Sequence, residues 1–581
     1  MLIILLLWVF LFFSSFSFGL FTHSLLAKLT GGNRAFSVAA TSVTGLVSLA
    51  VVLSYCSLFI PMNSVMLQAA IAGITIAGML YYKKDFILVW ATINATWRQT
   101  DILQKIFIAV FFFFILIKAS GQVQSLDSGS YHLPFIKWVE QYKLITGLGN
   151  VHSRFGFNYH YHILYAFFGF ANIFGTTIHC LNGYLFLIGF VYLIGMYNNA
   201  GENLLYKAIA IISILYISQI NKGMTGFSPD FPVAIIQMII VYNSLQYLIT
   251  RQASPITRQD ENNILLSIFW LAFGAVTLKL ATVSVFFVII SVFFTKMFRP
   301  AILFTLVIFA ILIFFPYLFR NYTISGYLVY PFYAVDIFHV PWKIPMARTI
   351  DEKIVIKNFA LGYPYYYKGE YHYNATLFRN WIKNLSFLNK AYPPIIGVIA
   401  ACLAATFIKW IIDLLSKGKK SLLTPVNIVL CGLVAGILFW FYNAPDPRFG
   451  NGIIIPFIAI VLGILFIALR LSRCIKVVSA VIMLAVIASS VLSLSGKAVS
   501  QTAYQTNNVN FNFLIQEKYP EPDSVSISVD AQHVFRCKER CWECPLPCSY
   551  TYDSFRFAAP GEIEKGFLPK AIQPEIPEIN K

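Results

Sequence analysis

Ile302-Leu-Phe-Thr-Leu-Val-Ile-Phe-Ala-Ile-Leu-Ile-Phe-Phe-Pro-Tyr-Leu318 runs from end to end without a charged residue. A helix that crosses a bilayer needs about 20 mostly apolar residues, because the hydrocarbon core is about 30 Å thick and each residue rises about 1.5 Å. Val38–Ile60, Met62–Tyr82 and Val477–Leu494 have the same character. The whole chain of 581 residues is 58% hydrophobic and only 12% charged, with a mean hydropathy of +0.70. A soluble domain carries about 25% charged residues. So much apolar surface needs lipid as its solvent, and the pattern predicts an all-α polytopic membrane protein.

Working outward from that run, about fourteen transmembrane helices are expected: 2–22, 37–60, 63–82, 102–120, 178–197, 204–221, 229–250, 262–279, 281–297, 300–318, 391–411, 424–442, 452–470 and 475–494. The stretch 159–177 is apolar as well, but histidines and glycines break it, and charge decides its placement. The basic bridges hold Lys28 and Arg34; Lys83, Lys84 and Arg98; Lys207; Arg251 and Arg258; Lys296 and Arg299; Lys417, Lys419 and Lys420; and Arg470, Arg473 and Lys476. They fall on one membrane face, as cytoplasmic loops should, only if 159–177 does not span. It is therefore read as re-entrant or interfacial. Met1–Leu20 has no basic segment ahead of it, which predicts a retained first helix with its N-terminus outside. The net charge of +18 is accounted for by these bridges, and nucleic-acid binding is excluded.

The opposite, periplasmic face then collects Gly121–Gly156, Asn221–Pro229, Arg320–Lys390, Asn443–Asn451 and the C-terminal tail. Three regions are expected. Residues 1–100 are accessory N-terminal helices joined by an amphipathic link. Residues 101–494 are the main bundle, with periplasmic loops 121–177 and 319–390. Residues 495–581 are a small periplasmic domain, strand-like near Ser524–Asp530. Its cysteines, Cys537-x3-Cys541-x2-Cys544-x3-Cys548, fit either a zinc knot or two disulfides. An oxidising compartment favours disulfides, and the spacing does not select among the three pairings.

Several polar residues on the periplasmic face could carry chemistry. Asp127, in Leu126-Asp-Ser-Gly-Ser-Tyr-His132, can serve as a general base toward a hydroxyl or merely cap the next helix. Residues 131–147 suit a helix lying in the membrane interface. Arg154, His160 and His162 follow, and two histidines alone are a weak metal set. Asp230 either faces the same cavity as Asp127 or simply opens a helix after Pro229. Lys279 interrupts an uncharged stretch and is either functional at membrane depth or a lysine snorkelling to the surface. Arg320 and Arg448, the latter in Ala444-Pro-Asp446-Pro-Arg-Phe-Gly450, can grip phosphate oxygens through a guanidinium fork or anchor helices to lipid phosphates. Acids for a hydroxyl and cations for a departing phosphate, all on one face, are what sugar transfer from a lipid phosphate requires.

The order helix 102–120, Asp127, segments 131–175, Asp230, Gly274-Ala-Val-Thr-Leu-Lys279, Arg320-Asn-Tyr and Asp446-Pro-Arg448-Phe resembles the GT-C glycosyltransferase superfamily over about residues 101–494. Gly147-Leu-Gly-Asn-Val-His-Ser-Arg154 and the tail Cys541-Trp-Glu-Cys-Pro-Leu-Pro-Cys548 look like bacterial membrane proteins associated with surface polysaccharide. The resemblance implies a GT-C-like bundle in the bacterial inner membrane that moves a sugar from a polyprenyl-phosphate donor to a lipid-linked or surface glycan acceptor. It implies Asp127 as general base and Arg448, Arg320 and Lys279 at the donor phosphate. Asp230, His132, Arg154 and Asp446 would shape the acceptor pocket. No cofactor is implied, and Asp127-Ser128 in place of the usual pair of acids does not indicate a divalent metal. The expected partners are membrane lipids, the donor and the acceptor. The competing readings are a polysaccharide polymerase or ligase, which would tolerate loss of Asp127, and a transporter or flippase of lipid-linked sugars, which would place its charges at mid-membrane.

Overall fold

The computed structural model describes residues 1–33, 37–123, 125–295, 300–418, 423–494, 514–516, 518–530, 532–538, 540–549 and 555–570. Of the basic bridges, Arg34, Lys296, Arg299, Lys419 and Lys420 lie outside the described residues. The chain is mainly helical, and eleven described helices are long and apolar enough to cross a membrane, or up to twelve if one bent pair counts as a span.

Three of the fourteen expected spans fall short of that test, each for a local reason. Val65–Tyr81 turns by 75° into Lys83–Gln99, where Lys83-Lys84-Asp85 ends the apolar run and no residue of the second helix is buried. Leu204–Gln219 has only 16 residues. After Lys279 the backbone tightens into a 3₁₀ turn over Leu280–Val285, followed by the short helix Phe286–Phe293.

The first two helices share the core of the rest. Trp8 Nε1 donates to Cys180 O at 2.8 Å, and Trp270 Nε1 donates to Ser48 Oγ at 3.1 Å. Helices Asp230–Ala253 and Pro447–Ala468 lie against each other at Gly452, where a Cβ would sit 2.1 Å from Gln237 Oε1. A small residue there lets the two backbones approach. Gln237 Nε2 in turn donates to Thr282 O at 3.2 Å and Ser284 Oγ at 3.1 Å. One glutamine thus ties together the segments that begin at Asp230, Lys279 and Arg448.

Three of the basic bridges, those at Lys28, Arg251–Arg258 and the end of Phe286–Phe293, are joined at the opposite end of the bundle. Asn33 N–H donates to Asp260 Oδ1 at 2.6 Å, and Arg251 Nη1 donates to Thr295 O at 3.3 Å. Lys409 Nζ, about two turns before Lys417, donates to Asn427 Oδ1 at 2.8 Å.

Residues 159–177 form helix His160–Phe168 and the single turn Ala171–Phe174. Nine residues reach only about 14 Å at helical rise, too little to cross. The helix Leu133–Gln141, expected in the membrane interface, is instead enclosed: Leu133, Phe135, Ile136, Trp138 and Val139 are all buried. The C-terminal tail covers it. Phe567 N–H donates to Thr146 O at 3.0 Å, and the Phe567 ring meets the Trp138 ring edge-on at 5.6 Å.

The tail contributes the strand pair Ser524–Val529 and Gln532–Cys537, antiparallel, with Cys548–Ser549 added in parallel. A second pair is Phe555–Phe557 with Phe567–Pro569. Val534, Trp542, Phe555, Phe557 and Phe567 join the bundle's own hydrophobic core, so the tail packs onto the first loop and not beside it.

Candidate functional site

A cavity of about 640 Å³ opens at the end of the bundle away from the basic bridges. Asp127, His132, Arg154, Asp230, Lys279 and Arg448 all contribute to its wall. Helix starts at Asp230 and Pro447 point their N-terminal ends at this space, which adds partial positive charge to that of Lys279 and Arg448.

Asp127 stands immediately before a π-turn over Ser128–His132, a distortion frequent at functional sites. Its carboxylate makes no capping bond to that turn, so the helix-cap reading fails. Its side chain is 40% exposed and lies 3.6 Å from Arg154 Nη1. That spacing gives Coulomb attraction without a hydrogen bond. Ser128 Oγ accepts from Phe227 N–H at 3.3 Å, which links the Asp127 turn to the loop that delivers Asp230.

Arg154 is fixed from several sides. Nε donates to Glu352 Oε1 at 2.8 Å, Ser153 Oγ donates to Glu352 Oε2 at 2.9 Å, and the guanidinium lies 4.8 Å from the centre of the Tyr131 ring. Glu352 escaped the sequence reading. It sits on helix Met346–Leu361, inside the long loop 319–390. The signal available was the Asp351-Glu352-Lys353 cluster on a helical pattern, which alone reads as a solvated face. Of the tyrosines in this loop, Tyr365 reaches the cavity wall, while Tyr363 and Tyr367 stack on each other at 4.5 Å.

Asp230 opens its helix and also faces the cavity, so both readings of it hold. It is ion-paired with Lys279. Lys279 is only 7% exposed, which rules out snorkelling to lipid, and its ammonium lies 4.6 Å from the Phe449 ring centre and 5.7 Å from that of Tyr159.

Arg448 reaches the cavity in the grip of Asp446. The carboxylate accepts from Nε at 2.9 Å and Nη2 at 2.7 Å, and its other oxygen accepts from Arg448 N–H at 2.9 Å. Asp446 is fully buried and is not part of the wall. Expected as a pocket residue, it instead orients the arginine. The turn is pinned further by Trp440 Nε1 on Asp446 O and Trp381 Nε1 on Pro445 O, each at 2.8 Å. Asp446 occupies Nε and Nη2, which leaves Nη1 for a ligand.

Arg320 lies elsewhere. It is 2% exposed and donates from Nε to Asn158 Oδ1 at 2.9 Å and from Nη1 to Ser57 Oγ at 2.7 Å. It joins helix ends behind the cavity, with Nε and Nη1 given to these neutral acceptors.

His132 is buried in the wall. Burial, reinforced by His162, Lys279, Arg154 and Arg448, holds its imidazole well below the usual range, so it is neutral near pH 7 and can exchange a hydrogen bond but not supply charge. His160 and His162 belong to a helix and not to an extended segment. His162 Nε2 lies 3.2 Å from Phe227 O, and the His160 ring packs against Tyr317 at 5.2 Å. Among the described residues the group able to hold a metal ion is Cys537, Cys544 and Cys548.

A family model described as a domain of unknown function, DUF8201, matches residues 1–455. No curated protein and no solved structure matches the chain.

Proposed function

The chain belongs to the DUF8201 family, whose description assigns no chemistry, and from the site itself we propose that it is a GT-C-type membrane glycosyltransferase using a polyprenyl-phosphate sugar. The observation that carries this reading is that Asp127 and Arg448, more than three hundred positions apart in the chain, line one cavity.

In the proposed reaction an acceptor hydroxyl beside Asp127 attacks the anomeric carbon of the donor sugar. Its proton passes to the Asp127 carboxylate as the new C–O bond forms. The bond between the anomeric carbon and the phosphate oxygen breaks, and its electron pair leaves on that oxygen as polyprenyl phosphate. Arg448, held by Asp446 with Nη1 directed to the ligand, opposes the charge that grows there, and the nearby Lys279 adds to the field. Arg154, 3.6 Å away, holds the Asp127 carboxylate toward the cavity by Coulomb attraction. Apolar wall residues such as Val283, Val329, Val355 and Phe439 suit a prenyl chain.

Orientation follows from charge. Three of the basic bridges are joined at the far end of the bundle, so the positive-inside rule turns the cavity to the periplasmic side of the bacterial inner membrane. The polar groups gather at one end and not at mid-depth, which supports transfer over transport.

The test is transfer of a labelled sugar from a polyprenyl-phosphate donor by the purified chain in proteoliposomes. Asp127→Asn should lower kcat by about 10² to 10⁴, the usual contribution of a general base. Unchanged transfer in that variant would sink the reading and favour a polymerase or ligase. Net donor translocation without transfer would favour a flippase.

A further inference from the structure

The tail's four cysteines lie close together and buried beside the Asp127 turn. Cys541 and Cys548 are bonded to each other. Cys537 ends the strand Gln532–Cys537, and the parallel register that sets Phe535 opposite Cys548 carries it to the same spot. The sulfurs of Cys537, Cys544 and Cys548 lie within 4.8 Å of one another. A hydrogen bond from Cys537 pulls the Cys544 thiol down to about 7 and raises its own donor in return.

We propose that the tail cysteines close as two disulfides, Cys541–Cys548 and Cys537–Cys544, and that the closed turn is a clamp that holds the Asp127 segment in place. With Cys541 and Cys548 joined, Cys544 has Cys537 as its remaining partner. Closure precedes docking of the tail. The Cys544 thiolate attacks an external disulfide, such as that of a periplasmic thiol oxidase, forming a mixed disulfide and releasing one thiolate. Cys537 then attacks the Cys544 sulfur, the mixed bond breaks, and the oxidant leaves as a dithiol carrying two electrons, with both cysteine protons balanced by its two thiols.

The clamp is visible in its contacts. Cys541 N–H and Trp542 N–H both donate to Gly129 O, at 3.0 and 2.9 Å. Lys137 Nζ donates to Glu543 O at 2.7 Å and Cys544 O at 2.9 Å. The four consecutive residues from Cys541 to Cys544 therefore grip both Gly129, two positions after Asp127, and the helix that follows. Trp542 itself sits in the left-handed region at φ +41°, a conformation that costs a side-chain-bearing residue energy and that an uncrosslinked turn would relax. Residue 129 admits only glycine, since a Cβ there would come within 2.5 Å of the Trp542 ring.

This inference stands apart from the transferase reading, because its readouts are structural. Full-length chain purified from membranes, alkylated before proteolysis and mapped by tandem mass spectrometry, should show both links and no alkylation at the four positions. In the C537S/C544S variant the Cys541–Cys548 link should persist with no free thiol in the tail. Any other pairing, or one zinc ion per chain that a chelator removes, overturns the pairing. Hydrogen exchange tests the clamp: reduction of the wild-type chain with a phosphine should speed amide exchange over residues 129–137 and at Cys541 and Trp542 by at least about tenfold, with helix Asp230–Ala253 unchanged. Trp542→Ala should act in the same direction without touching the cysteines. Equal exchange in reduced and oxidised chain overturns the clamp.

Discussion

At the scale of single residues, the candidate site rests on two carboxylates with opposite duties. Asp127 is half-open to the cavity and makes no capping bond. Asp127→Asn should therefore leave the melting temperature in detergent within about 1 °C of wild type while lowering kcat by about 10² to 10⁴, whereas a structural aspartate would show the reverse. Asp446 is enclosed and devoted to Arg448. Asp446→Asn keeps an acceptor for the Arg448 N–H but removes the charge that orients the guanidinium. Severing a wholly buried ion pair costs about 3–5 kcal/mol. Because the Arg448 side chain is about a third exposed, water screens part of that, and a loss of about 1–2 kcal/mol is expected. Donor KM should rise about tenfold with a smaller change in kcat, read from steady-state kinetics alongside the melting curve. Both aspartates were visible in the sequence as acids next to helix starts. What separates them is what surrounds each one, and that depends on Arg154 beside Asp127 and on Trp381, which pins the Asp446 turn from 64 positions away, contacts that no local pattern reveals.

At the scale of elements, the decisive contact is between the π-turn and the tail. Gly129→Ala places a methyl group against the Trp542 ring, an overpacked contact that typically costs about 1–3 kcal/mol, and thermal unfolding in detergent should show it. The helix just downstream carries Glu140, which is 2% exposed and accepts from Thr177 Oγ1 at 2.8 Å. Burial pushes its carboxyl up to about 8, against an ordinary 4.5. Between those values the folded chain keeps a proton that the unfolded chain releases, so stability falls as pH rises through that window. Melting temperature should drop from pH 5 to pH 8 in the wild type, and Glu140→Gln, which can still accept from Thr177, should flatten the slope. This helix is also where the sequence misleads most. Its amphipathic pattern reads equally well as a helix at the lipid surface or one roofed by other protein, and the roof here is supplied by residues about four hundred positions later. Hydrophobic periodicity reports that a face is covered but not by what.

At the scale of the molecule, the apolar runs were the most legible feature, because a bilayer demands length and apolarity from each helix separately. Segments that differ from expectation, Val65–Tyr81 and Leu280–Phe293 among them, are those where polar residues or a 3₁₀ turn break the run. The separation of basic bridges from the cavity makes a direct prediction about sidedness. In intact cells a membrane-impermeant maleimide should label Tyr366→Cys, on the exposed loop by the cavity, and should label Gln259→Cys only after the membrane is permeabilised. Labelling of both in intact cells, or of neither, would contradict the orientation.

The order of synthesis gives the docked tail another significance. The ribosome makes Asp127 more than four hundred residues before Trp542, so each described membrane helix has been translated before the segment that seats on Gly129 exists. A nascent chain halted after residue 494 would still carry all its hydrophobic helices into the bilayer, yet its first loop would lack its cover. Synthesis through Trp542 thus becomes a condition for a covered first loop, and a product terminated before it would be inserted without that cover.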